Sequence, residues 1–154
     1  MFGWFRKQEP AGLESIDGIM VNLLVGGEQA LFLMLGSDGS ATRAGTGSVD
    51  NTHRDMFISR ETPHMFEKLR ARITAELLEW CGSERSAPNP KGRLCELTVG
   101  FRLSDGSEQA SVWRYGSESQ GPPPEVAEWV AAAVEVTDSW FARQQSMTQR
   151  DPGA

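Results

Sequence analysis

The stretch TPHMFEKLRARITAELLEWCG, residues 62–82, decides how the rest of the chain has to fold. Phe66, Leu69, Ile73, Leu77 and Trp80 fall at steps of three and four, and Met65 and Leu78 widen the stripe. Glu67, Lys68, Arg70, Arg72, Glu76 and Glu79 take the other side, so the period predicts one amphipathic helix. Thr62 offers an N-cap oxygen, Pro63 suits a first helical position whose N–H would have no partner, and Gly82 is a natural stop. A helix that is apolar on one face needs a second layer to cover it.

The flanking segments supply that layer. IMVNLLV (residues 19–25) and QALFLML (residues 29–35) read as strands joined by Gly26-Gly27, a pair that tolerates the positive φ of a tight hairpin. Both faces of these strands are apolar apart from Asn22 and Gln29, which predicts central strands or strands covered on two sides. After the turn Ser37-Asp38-Gly39-Ser40, residues 41–44 read as a short third strand at the sheet edge. Residues 94–103 alternate cleanly, with Cys95, Leu97, Val99, Phe101 and Leu103 on one side, and Asp105-Gly106 turns the chain back. A two-residue loop there leaves Trp113 and Tyr115 opposite Val99 and Phe101; a three-residue loop puts them on the same side. Pro124 opens a second helix running to about residue 144, with Val126, Trp129, Val130, Ala133, Val134, Val136, Trp140 and Phe141 forming a broad apolar surface. The expected architecture is α+β, an antiparallel sheet of about five strands in the order ββ(β)αββα with both helices on one face. Residues 1–15 read as an N-terminal arm, 16–144 as one domain and 145–154 as a disordered tail.

Composition narrows the functional classes. The net charge is −6, and residues 104–142 hold seven acids against one base, Arg114, so the whole imbalance lies in the last third. That distribution argues against nucleic-acid binding, which needs clustered Lys and Arg. The longest apolar run is broken by Asn22, Gly26, Gly27, Glu28 and Gln29, so no transmembrane segment is expected. Phe2, Trp4 and Phe5 beside Arg6 and Lys7 allow at most a weak membrane contact by residues 1–7. Cys81 and Cys95 lack metal-type spacing and read as free thiols in a reducing, cytoplasmic setting.

No stretch carries a catalytic, metal or cofactor motif, and none is expected. Gly45-Thr46-Gly47-Ser48 has the small residues of an anion cradle but neither follows a strong strand nor opens a helix. Two surfaces stand out. Trp113, Arg114 and Tyr115, followed by Glu118, Glu125 and Glu128, have the composition of a protein-binding hot spot. The long polar loop at residues 45–61, with His53, Arg54 and Asp55, is the alternative, a small-molecule or enzyme site. The expected function is a non-enzymatic, acidic protein-binding domain that docks on a basic protein partner, in general character like a bacterial toxin-immunity inhibitor.

Overall fold

The computed structural model describes residues 15–48, 55–60 and 63–150. In chain order the elements are β1 (Ile16–Val25), β2 (Glu28–Gly36), β3 (Ser40–Ala44), β4 (Met56–Arg60), α1 (His64–Arg70) and α2 (Ala75–Leu78). They continue with β5 (Glu84–Ser86), β6 (Leu94–Leu103), β7 (Glu108–Gly116) and α3 (Pro124–Arg150). The strands form one sheet in the order β4-β3-β2-β1-β6-β7-β5, antiparallel except for the β5–β7 pair. The fold is α+β, but with seven strands in a mixed sheet and three described helices instead of about five strands and two helices.

Three local causes account for the difference. β4 lies inside the polar loop, where Met56 to Arg60 pair with Ser40 to Ala44, so β3 is not an edge. β5 is a three-residue strand in the proline-rich connector, held by parallel pairing to β7. The organising helix is broken in two: Thr74 takes an extended conformation (φ −107°, ψ 164°) and its hydroxyl accepts the Leu77 N–H, capping α2 afresh. Thr62 lies outside the described residues. Despite the break, Phe66, Leu69, Ile73 and Leu77 still face the core, as their spacing predicts. At the other end α3 continues to Arg150, past the expected boundary at residue 144.

The turns set the registers. Gly26 and Gly27 both have positive φ (58° and 83°) and close the β1–β2 hairpin between Val25 and Glu28. The two Ser-Asp-Gly-Ser segments fold alike as three-residue loops. Gly39 N–H donates to Gly36 O, and Gly106 N–H to Leu103 O. Asp38 and Asp105 each accept from the N–H and hydroxyl of the serine two residues on. The second loop pairs Leu97 with Trp113 and Val99 with Ser111, which turns Trp113 inward.

One face of the sheet carries the core. Ile19, Val21, Leu33, Leu97, Val99 and Phe101 meet Phe66 and Leu69 from α1 and Val126, Trp129, Ala133 and Phe141 from α3. Each Val, Leu, Ile or Phe side chain among them contributes roughly 1.5–3 kcal/mol when fully buried. A buried arginine ties α3 to β3. Arg43 is 1% exposed, donates from Nη1 to Asp138 Oδ1 (2.8 Å), Thr137 Oγ1 (3.0 Å) and Val134 O (3.3 Å), and stacks 4.2 Å from the centre of the Phe141 ring. Its Nε donates to Gly45 O. Gly45 must be glycine, since φ is +83° and a Cβ would collide with the Ala30 carbonyl.

Candidate functional site

The residues expected to form a contact surface alternate along β7 and are divided between two faces. Trp113 is 4% exposed and packs edge-on against Trp80 at 6.5 Å, so it is a core residue and not a contact residue. Tyr115, on the same side, is half-buried, and burial, with Cys95 nearby, pushes its phenol up to about 12. Arg114 points the other way, with Nη1 donating to Glu84 (2.7 Å) and Nε to Glu96 (2.8 Å).

The acidic residues of the last third do not form one outward surface either. Asp138 is bonded to Arg43 and Glu135 to Arg72 (2.8 Å), arginines of the front half. Glu125, in the first turn of α3, accepts the Trp80 indole N–H at 2.9 Å, which holds its carboxyl below the usual carboxylate range. Asp105 serves its own turn, and Glu108 lies on the opposite face of the sheet. Glu118 and Glu128 are exposed.

Of the alternative site, His53 and Arg54 lie outside the described residues, and Asp55 is exposed. Beside it, Gly47 N–H already donates to Ala30 O at 2.9 Å, which removes a donor from the glycine-rich cradle. No group of three or more His, Cys, Asp or Glu poised to hold a metal ion occurs among the described residues. Both cysteines are free thiols, raised by burial. No described helix is long and apolar enough to cross a membrane.

The feature that composition did not single out is the second face of the sheet. The described helices pack on the other side, and Met34, Met56 and Ile58 are 43%, 49% and 71% exposed. Strand pairing aligns Ile58, Thr42, Met34, Met20, Gly100 and Ala110 as one continuous row across six strands. The adjacent row is Met56, Ala44, Phe32, Asn22, Thr98 and Val112. Neither row contains a charge.

Charged side chains stand on both sides of this band, the second side continuing uncharged as Leu24 and Gln29 on β1 and β2. On one flank Arg60 pairs with Asp38 and Arg102 with Asp17, with Glu108 opposite Arg102. On the other, Arg114 is shared by Glu84 and Glu96. A depression of about 310 Å³ lies over Met20, Phe32, Met34, Gly100 and Ala110, with Arg102 at its rim. The Met20 methyl lies against Gly100, where a Cβ would sit 3.4 Å from it, so the absence of a side chain opens the floor. Such a surface can bury apolar groups but presents little chemistry of its own. Its trace in the sequence was the apolarity of both faces of β1 and β2 apart from Asn22 and Gln29, the second faces not being covered by any described helix.

No protein-family model matches this chain, and no curated protein sequence matches it.

Proposed function

We propose that this chain is a non-enzymatic protein-binding domain whose contact surface is the sheet face that no described helix covers. The observation that carries this reading is the pair of uncharged rows crossing six strands, bordered by charge on both sides. A contiguous apolar surface with a polar rim is the anatomy of an interface. The docking residues are therefore Met20, Phe32, Met34 and Ile58, in place of Trp113. The acidic character keeps a secondary part: Glu118 and Glu128 remain exposed, so a basic partner would associate faster at low salt.

The test is a cross-linking capture from the native cell with three baits, the wild-type chain, Met34→Glu and the double reversal Glu118→Lys/Glu128→Lys. A partner lost with Met34→Glu and retained, more slowly, by the double reversal supports the reading. A partner indifferent to Met34→Glu but abolished by the double reversal moves the site to the acidic surface. The depression also falls within the size range of a small-ligand pocket, at about 310 Å³. Recovery of a bound metabolite, and of no protein, from the purified native chain would favour that second reading.

A further inference from the structure

We infer that the band receives an amphipathic α-helix from a partner protein, about sixteen residues long, laid across the strands with Lys or Arg beside its apolar stripe. This rests on the protein-binding reading above and adds the partner's secondary structure and charge.

The first argument is where a covering backbone would find its hydrogen bonds. The band's polar side chains are Thr42, Asn22 and Thr98, and the Asn22 carbonyl already accepts from Gln29 Nε2 at 3.0 Å. An extended segment lying on this face would bury N–H and C=O groups unpaired, at roughly 1–3 kcal/mol each. Strand addition avoids that cost only at an edge, whereas Met20, Phe32 and Met34 stand on the inner strands β1 and β2. A helix arrives with its backbone already satisfied.

The second argument is size. Six strands at about 4.8 Å spacing make a band about 24 Å long, and two rows about 6.7 Å apart make it about 13 Å wide. A helix about 10–12 Å in diameter spans 24 Å in about sixteen residues. The band's area, on the order of 300 Å², falls well short of the roughly 800 Å² per partner of a standard stable interface, which disfavours a second copy as occupant.

Charge supplies the third argument. One flank sets Arg60 and Arg102 against Asp38, Asp17 and Glu108; the other sets Arg114 against Glu84 and Glu96. Over these described residues each border carries one more acid than base, and basic residues beside the helix stripe complement them. A second copy would bring like-charged borders together. Met20, Met34 and Met56 are three of the chain's six methionines, and unbranched thioethers can repack around different apolar stripes.

The experiment is selection of a displayed library of random peptides, about twenty residues long, on the full chain. The enriched sequences are then measured free in solution against wild type, Met34→Glu and Met20→Glu, each variant first checked for an unchanged melting temperature. The expected result is apolar residues at i, i+3, i+4 and i+7 with Lys or Arg beside them. Helical circular dichroism should rise on binding, and affinity should fall at least about tenfold in both variants. Proline-bearing extended peptides that still depend on Met34 would overturn the helix while leaving the protein-binding face standing. So would a concentration-dependent dimer that Met34→Glu dissociates. Binders indifferent to both substitutions, or no enrichment at all, would overturn the helix and the binding face together.

Discussion

Leu33 and Met34 are neighbours on β2, yet one is 0% exposed and the other 43% exposed. They stand for the two sides of the sheet, similar in apolar content and opposite in fate. The helix-covered side is finished: Phe101 packs edge-on to Trp129 at 5.6 Å, Phe57 to Phe141 at 5.6 Å, and Arg43 secures α3 with three donated hydrogen bonds. The other side carries no charge over two rows but has nothing described packed on it. An apolar surface contributes to stability only where water is excluded. Side chains that are expendable for folding on the open side remain available for binding.

The comparison can be broken most forcefully at Arg43. Arg43→Ala empties a fully buried site and removes the donor to Asp138 and Thr137 and the stack on Phe141, so unfolding free energy should fall by about 3–5 kcal/mol in denaturant titration. A loss below about 1 kcal/mol would show that α3 is held by its apolar face alone. Next comes the neighbouring pair. Leu33→Ala should cost about 2–5 kcal/mol through a core cavity, and Met34→Ala within about 0.5 kcal/mol, as at an ordinary surface position. Equal costs would mean that the second face is also packed.

The single tyrosine sharpens the comparison through pH. Burial raises the Tyr115 phenol from 10.0 to about 12, so between those values the folded chain keeps a proton that the unfolded chain has lost. Stability is therefore fully present below pH 10 and falls as pH rises toward 12. Phenolate absorbance, with denaturant midpoints across the same range, reads this directly; ionisation at the ordinary value would place Tyr115 in solvent. The smallest effect separates two indoles within the core. Trp140 Nε1 donates to Ser59 Oγ at 3.0 Å, whereas Trp129 Nε1 is buried with no acceptor among the described residues. Trp140→Phe should therefore cost about 1 kcal/mol more than Trp129→Phe.

Much of the covered side could be read from the chain, because local periodicity reports it. The 3.6-residue stripe Phe66, Leu69, Ile73 and Leu77 and the alternation of Leu97, Val99 and Phe101 predict which atoms leave water whatever their partners are. The Gly26-Gly27 hairpin was equally legible, since few residues other than glycine accept two successive positive φ values. Less visible were β4, five residues inside a polar loop, and β5, three residues with no apolar side chain, both paired to a neighbouring strand that offers hydrogen bonds. Nor did periodicity show the break at Thr74, where a side-chain cap competes with helix continuation without disturbing the stripe.

What the residues alone determined was the α+β class, the identity of most core positions and the central place of β1 and β2, because burial follows from side-chain chemistry at a fixed period. What only the tertiary structure decided was which way Trp113 points and whether carboxylates distant in sequence share a surface. The turn could close as a two-residue Asp-Gly or a three-residue Ser-Asp-Gly loop, and the strand pairing selects the second. Arg43 and Asp138 are 95 residues apart, so their bond exists only once α3 lies across the sheet. The open band has the same origin: its rows are assembled from six strands, each contributing one residue, and only the hydrogen-bonded sheet aligns them.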